Sequence, residues 1–231
     1  MPNITHNIKL VQQRIADCAR GAGRSADAVT LLAVSKGQSV DRIREAAGAG
    51  LTRFGENYLQ EALEKIDALE NPGLEWHFIG PLQSNKTRAV AENFQWLHTV
   101  DRIKIAERLS RQRPGSMSPL NLCIQVNIDG EKSKSGVAPR EADELATAIA
   151  GLPGLRLRGL MAIPTPGNPA VSPREPFFRL ARLLDRLRAL SPELAHLDTL
   201  SMGMSGDMEA AIAEGATIVR VGTAIFGPRG R

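Results

Sequence analysis

Residues 29–56, VTLLAVSKGQSVDRIREAAGAGLTRFGE, decide the fold. They open with an apolar run over 29–35 that is typical of a buried parallel strand. An amphipathic helix is predicted over 40–47, and a second strand-like run follows over 52–56. The stretch is therefore predicted to be a strand–helix–strand unit.

The same alternation continues to the end of the chain. Further strand-like runs cover 75–80, 96–100, 120–128, 155–163, 199–202 and 218–225. Further predicted helices cover 58–69, 85–91, 102–111, 140–150, 175–190 and 208–213, and an extra helix over 4–19 precedes the first strand. The proline-rich segments 113–119 and 164–176 are predicted to be loops.

Eight successive strand–helix units form either a closed barrel or an open, doubly wound sheet. An open sheet normally carries a G-x-G-x-x-G first turn, whereas the first turn here is Ser35-Lys36-Gly37-Gln38. The prediction is an α/β protein, a (β/α)8 TIM barrel with an extra N-terminal helix. One domain over residues 1–231 is expected.

Composition excludes several classes of protein. The net charge of +4 comes from 29 basic and 25 acidic residues that are dispersed along the chain, which does not favour nucleic acid as a partner. The two cysteines, Cys18 and Cys123, show no disulfide or zinc spacing. Charges in the first twenty residues and the lack of a long apolar run predict no secretory signal and no membrane span. A cytoplasmic protein is expected.

Ligand sites in such barrels form at the carboxyl ends of the strands. Lys36 follows the apolar run of the first strand, and period-two alternation places it on the same face as Leu32 and Val34. A lysine that loses solvation at the barrel mouth has a lowered pKa and can attack an aldehyde. The alternative is a lysine that extends to solvent from the strand end.

The last two strands carry groups that suit a phosphate monoester. Ser201 to Asp207, SMGMSGD, and the pair Gly222-Thr223 offer hydroxyls and accessible backbone amides. The alternative is ordinary turn chemistry. Arg220 shares a strand face with Gly222, so it would face the same cavity, unless it pairs with an acidic residue such as Glu56.

Other catalytic patterns are missing from the sequence. The four histidines show no metal-site spacing, so they are interpreted as structural. There is no nucleophile elbow and no P-loop.

Seven segments resemble the pyridoxal phosphate homeostasis proteins, which are related to the N-terminal barrel of alanine racemase, a fold-type III pyridoxal phosphate protein. They are LLAVSK at 31–36, RFGENYLQEA at 53–62, WHFIGPLQSNK at 76–86, QVNIDGEKSKSG at 125–136, RGLMAIP at 158–164, LSMGMSGDMEAAIAEGAT at 200–217 and VRVGTAIFGPR at 219–229. The resemblance spans almost the whole chain.

The resemblance implies that pyridoxal 5'-phosphate is held as a Schiff base on Lys36. It also implies a phosphate site of Ser201, Ser205, Gly222 and Thr223, with Arg220 at the ring nitrogen and Asn57 beside the ring or the Schiff base. The family commonly continues after the lysine with a threonine and a second lysine, where this chain has Gly37 and Gln38. The resemblance therefore implies no supporting role for these two positions.

The resemblance also implies that this chain lacks a catalytic group that the racemases use. Racemases of this kind use a tyrosine from an added β-domain as second acid/base, and the one tyrosine here is Tyr58. A charged Arg220 would also disfavour a protonated ring nitrogen, which weakens carbanion stabilisation.

The leading hypothesis is a monomeric carrier that buffers pyridoxal phosphate and delivers it to apo-enzymes without robust catalysis. The alternatives are a low-activity amino-acid racemase and a barrel enzyme that binds another phosphorylated ligand. Lys134 is either a second contact for the cofactor at the same mouth or a surface residue.

Overall fold

The polypeptide forms a closed barrel of parallel strands. The structure is a computed structural model that describes residues 3–131, 133–165 and 172–228. The strands hydrogen-bond in chain order and the last pairs with the first, so no sheet edge remains open. They are β1 (Thr30–Val34), β2 (Arg53–Glu56), β3 (Glu75–Phe78), β4 (Trp96–Val100), β5 (Leu120–Gln125), β6 (Leu155–Met161), β7 (Thr199–Met204) and β8 (Ile218–Val221). The predicted (β/α)8 barrel is confirmed.

Helices surround the barrel. They are α1 (Ile4–Gly21), α2 (Val40–Gly48), α3 (Leu59–Leu69), α4 (Thr87–Asn93), α5 (Ile103–Gln112), α6 (Ala142–Ala150), α7 (Glu175–Leu190), α8 (Met208–Ala213) and α9 (Thr223–Phe226). The extra helix α1 lies against α8 and α9. From α1, Arg14 donates a hydrogen bond to the carbonyl of Ser205, 3.1 Å away. The N-terminal helix therefore supports the loop that follows β7.

Alternation along the strands separates two apolar regions. The barrel interior holds a small cluster of Leu32, Ile79, Trp96, Cys123, Met161 and Ile218, against which Val34 packs. Neighbouring strand residues such as Ala33 pack outward in the larger core beneath the helices. Leu32 and Val34 thus face inward, as period-two alternation predicts.

Several predicted boundaries were wrong. β5, β6 and β8 end before the predicted residues 128, 163 and 225, whereas β7 continues two residues beyond 202. In β8 the hydrogen-bonded register with β1 ends at Val221, and the chain then turns into α9. The predicted helix over 85–91 is a short 3₁₀ turn, Ser84–Lys86, followed by α4.

The two predicted loops have different outcomes. Residues 113–119 contain no helix or strand. Within 164–176, residues 166–171 lie outside the described part of the chain, and α7 begins at Glu175. No described helix is both long and apolar enough to cross a membrane.

Candidate functional site

A cavity of about 300 Å³ lies at the carboxyl ends of the strands. Six of the seven residues that the sequence singles out line it: Lys36, Asn57, Ser205, Arg220, Gly222 and Thr223. They come from the ends of β1, β2, β7 and β8, which the closed barrel brings to one mouth. Residues far apart in sequence therefore surround one small volume.

Lys36 enters the cavity from the end of β1. It is half-buried and follows Ser35, which is fully buried. The Ser35 hydroxyl donates to Glu56 Oε1 at 2.6 Å, on the neighbouring strand. Ser35 is thus fixed between β1 and β2, and the next side chain, Lys36, lines the cavity.

A second lysine, Lys65 on α3, secures the backbone before Lys36. Its side chain is about 5% exposed, and its Nζ donates to the Ser35 carbonyl at 2.8 Å and to Glu56 Oε1 at 2.7 Å. Burial is the main effect on Glu56, and it raises the pKa of that carboxyl against the opposing influence of Lys65. The ammonium and the carboxylate form a buried ion pair directly behind the cavity lysine.

Glu61 secures the backbone after Lys36. Its Oε1 accepts the Gly37 N–H at 2.6 Å and the Lys65 Nζ–H at 2.5 Å. Gly37 has φ +69°, in the left-handed region that favours glycine. Lys65 and Glu61 together clamp residues 35 and 37; we name the set Ser35, Glu56, Glu61 and Lys65 the Lys36 clamp.

Arg220 is a buried cation at the cavity. Its side chain donates to the Ser201 carbonyl at 2.6 Å, to Ser201 Oγ at 2.9 Å and to the Ala162 carbonyl at 2.9 Å. Burial lowers its pKa to about 10, so the guanidinium stays charged at neutral pH. Among the described residues no carboxylate lies within 4 Å of it, and the alternative partner Glu56 pairs with Lys65 instead.

Ser201 does not line the cavity. It is fully buried, and its Oγ hydrogen-bonds to His98 Nδ1 at 2.8 Å and to Arg220. The contact of Ser201 with the phosphate stays a prediction; its side chain is buried and does not line this cavity. Ser205, two residues after the end of the buried part of β7, lies at the cavity instead.

Small residues form the cavity end near β7 and β8. Gly206, Gly222 and Gly227 line it together with Ser205 and Thr223. A Cβ on Gly222 would lie 3.1 Å from the Val34 carbonyl oxygen, so the chain passes close to β1 there. Thr223 opens α9, and the first N–H groups of a helical turn have no acceptor within the helix.

Asn57 is positioned by close backbone packing. A Cβ on Gly80 would lie only 2.0 Å from the Asn57 carbonyl oxygen, so the approach requires glycine at position 80. Asn57 Oδ1 is buried and has no hydrogen-bond partner among the described residues. A buried acceptor at a cavity wall is suited to a donor on a bound molecule.

The cavity walls also include side chains that were not predicted as site residues. Gln38, Ile79, Ile163 and Met204 also line the walls. Ile163 and Met204 are large apolar side chains with 40% and 36% exposure. Ile79 could have been predicted, because period-two alternation places it on the same strand face as His77. For Gln38 the sequence offered only its nearness to Lys36.

Tyr58 and Lys134 lie apart from this cavity. Tyr58 is 61% exposed and does not line it. Lys134 lines a neighbouring cavity that shares Asn57, Ile79 and Ile163 with the first. Its Nζ donates to the Ile163 carbonyl at 2.9 Å and to Thr165 Oγ1 at 2.8 Å.

The fold and site are thus a closed parallel barrel with a strand-end lysine in a cavity lined in part by glycines. The family model described as alanine racemase, N-terminal domain, matches residues 1–230. The pyridoxal phosphate homeostasis protein of Pseudomonas aeruginosa is 57% identical over 229 residues, covering 99% of this chain and 97% of that protein. The protein of the same name from Escherichia coli K12 is 54% identical over 232 residues, covering 99% and 98%. The chain belongs to the pyridoxal phosphate homeostasis protein family.

A solved structure in the same family resembles the barrel. PipY of Synechococcus elongatus without PLP has a TM-score of 0.87 at 37% identity, covering 97% of this chain and 100% of PipY. PipY with PLP bound has a TM-score of 0.80 at 38% identity, covering 92% and 100%. The family resemblance drawn from the sequence is thereby confirmed.

Proposed function

We propose that this protein binds pyridoxal 5'-phosphate through Lys36 and takes part in its homeostasis. The observation that carries the proposal is one cavity in which a strand-end lysine, a buried guanidinium and a glycine- and hydroxyl-lined end meet. Family membership and the PLP-bound PipY structure support the choice of ligand. Pyridoxal phosphate supplies an aldehyde, which condenses with a lysine amine to give an imine and water.

The residues present fit this molecule. Arg220 brings a buried positive charge that no described carboxylate neutralises within 4 Å, which favours an anionic occupant. Asn57 Oδ1 is a buried acceptor without a partner in the described chain. Both groups gain a partner if the cofactor occupies the cavity.

The phosphate is assigned to the end of the cavity near β7 and β8. Ser205 and Thr223 offer hydroxyl donors there, and Gly206 and Gly222 leave the backbone accessible. Lys36 lies across the cavity, with its backbone held by the clamp. The site thus separates an anion end from an amine end.

Arg220 favours holding the cofactor over chemistry on an amino acid. A guanidinium only donates hydrogen bonds, so at the ring nitrogen it disfavours protonation of that nitrogen. A neutral ring accepts electrons from a carbanion less well. Tyr58 is exposed away from the cavity, so no tyrosine in the chain is placed as a second acid/base.

We assign the protein a carrier role without robust catalysis, in which it buffers a reactive aldehyde and passes it to apo-enzymes. We propose a monomer as its working form. Its free cysteines, Cys18 and Cys123, support a reducing, cytoplasmic setting.

The absorption spectrum of the protein loaded with pyridoxal phosphate tests the proposal. Wild type should show the visible band of an imine, and Lys36→Ala should lose it. Lys104→Ala, a change at an exposed lysine on α5, is the matched control and should keep the band. Retention of the band in Lys36→Ala, at equal cofactor content, would overturn the assignment.

A further inference from the structure

A continuous row of polar side chains crosses the barrel interior. From the amino-terminal mouth inward, Glu75 Oε1 lies 2.9 Å from His77 Nε2, and His77 Nδ1 lies 2.9 Å from His98 Nε2. His98 Nδ1 lies 2.8 Å from Ser201 Oγ, which accepts from Arg220 Nη1 at 2.9 Å. We name these five residues the barrel relay.

The relay is closed to solvent along most of its length. His77, His98, Ser201 and Arg220 are at most 4% exposed, whereas the Glu75 side chain is 36% exposed. Glu75 lies at a second cavity at the opposite mouth, lined also by Arg53, Arg158 and Asp198. The relay therefore connects that mouth with the cavity that Arg220 lines.

Both histidines are neutral at neutral pH. Burial lowers the pKa of His77, with an opposing contribution from Glu75, and burial lowers that of His98 further. The hydrogen bond from His77 lowers the pKa of Glu75, which keeps it a carboxylate. A neutral imidazole has one N–H donor and one acceptor nitrogen.

These protonation states fix the direction of every hydrogen bond. The Glu75 carboxylate only accepts, so His77 carries its proton on Nε2 and accepts at Nδ1. His98 must then donate from Nε2 and accept at Nδ1. Ser201 donates its hydroxyl proton to His98, which leaves an oxygen lone pair directed to Arg220. The Glu75 carboxylate at one end of the relay thus makes the Ser201 hydroxyl oxygen an acceptor for Arg220 at the other end.

We propose that the barrel relay orients Arg220 for the cofactor cavity, with Glu75, His77, His98 and Ser201 as positioning residues. The Ser201 hydroxyl, held as an acceptor, and the Ser201 and Ala162 carbonyls fix three of the five guanidinium N–H groups. Among the described residues, these contacts leave the Nε–H and one Nη2–H of Arg220 as donors for an occupant of the cavity that Arg220 lines. The part of this inference that concerns the ring nitrogen rests on the proposed function.

Two other roles for the relay are inconsistent with its geometry. A serine next to a histidine suggests a nucleophile, but Ser201 is fully buried and lines neither cavity at the carboxyl ends. A metal centre is also unsupported, since no group of three or more potential ligands was found among the described residues.

Two variants and two matched controls test the proposal. Ser201→Ala removes the hydroxyl and keeps the carbonyl that holds Arg220, and Cys123→Ala removes one heavy atom from the same barrel interior outside the relay. Glu75→Gln removes the terminal carboxylate, and Asp198→Asn makes the same change at the same mouth, on the partner of Arg158.

The first readout is the imidazole and guanidinium ¹⁵N spectrum of the cofactor-free full chain. Wild type should show protonated Nε2 and unprotonated Nδ1 on both His77 and His98. Glu75→Gln should shift both imidazoles and the Arg220 resonances, whereas Asp198→Asn should leave them in place. Protonated Nδ1 on either histidine, or unchanged Arg220 resonances in both relay variants, would overturn the proposal.

The second readout is the absorption band and the dissociation constant of pyridoxal phosphate, measured on the protein loaded with the cofactor. Ser201→Ala should move the absorption band and raise the dissociation constant of pyridoxal phosphate about fivefold, equivalent to about 1 kcal/mol. Cys123→Ala should change neither property. If wild type binds no pyridoxal phosphate, the proposed function fails, while the cofactor-free spectra still decide whether the relay orients Arg220.

Discussion

Replacing Lys65 with methionine tests the Lys36 clamp. The substitution keeps a long side chain in the space next to Glu56 and removes only the ammonium. Lys65 is 4% exposed and Glu56 is fully buried, so solvent cannot replace the lost partner. Glu56 would then be a buried carboxylate whose remaining hydrogen bond comes from the Ser35 hydroxyl.

The expected loss of stability is large. Removing one member of a buried ion pair costs about 3–5 kcal/mol, because the other charge stays buried without compensation. Adding Glu56→Gln to Lys65→Met removes that charge, so the double variant should recover more than half of the loss. Lys104→Met on the exposed face of α5 should stay within about 0.5 kcal/mol of wild type.

Urea unfolding provides the assay. With a slope of about 3 kcal/mol/M for a chain of this size, Lys65→Met should lower the midpoint by about 1 M or more. The stability that Lys65→Met loses relative to wild type should grow as pH rises from 5 to 8. The pKa of Glu56 is raised in the folded state, so the folded state holds the proton more tightly and loses stability as the carboxyl ionises. A loss under about 1 kcal/mol, or a double variant as unstable as the single one, would refute the buried-pair argument.

Three further predictions concern the rest of the site. Gly80→Ala should destabilise the fold by about 2 kcal/mol or more and weaken cofactor binding, because its Cβ would lie 2.0 Å from the Asn57 oxygen; unfolding and binding titrations showing no change would contradict this. Incubation of the loaded protein with L-amino acids in deuterated water should give no Cα exchange above that of free cofactor, and mass spectrometry detecting turnover would favour the racemase alternative. Stability should fall as pH drops below about 6.5, by up to about 1.4 kcal/mol per histidine per pH unit, since His77 and His98 have lowered pKa values when folded and take up protons on unfolding; urea midpoints for His77→Gln with His98→Gln should lose most of this slope.

The barrel could be predicted from the sequence because its information is local. Short apolar, strand-like runs located each strand, and amphipathic periodicity located the helices. Strand ends were predicted less well, because they depend on where a neighbouring strand stops offering partners. β8 illustrates this: its apolar run continues to Ile225, but its pairing with β1 ends at Val221.

The site could be predicted in part for the same reason. Lys36, Gly222 and Thr223 are at strand ends, and a closed barrel brings all strand ends to one mouth. The Lys36 clamp could not be predicted, since Lys65 on an amphipathic helix is expected at the surface. Contacts such as that between His98 and Ser201 join residues 103 positions apart and follow from the register of the whole sheet.

Peptide mapping after borohydride reduction tests the central claim most directly. Reduction of the loaded protein converts an imine into a stable secondary amine, and mass spectrometry then locates the modified lysine. The account predicts that the peptide containing Lys36 carries the cofactor and that the peptide containing Lys134 does not. Modification at Lys134 with Lys36 unmodified, or recovery of unmodified protein, would contradict it.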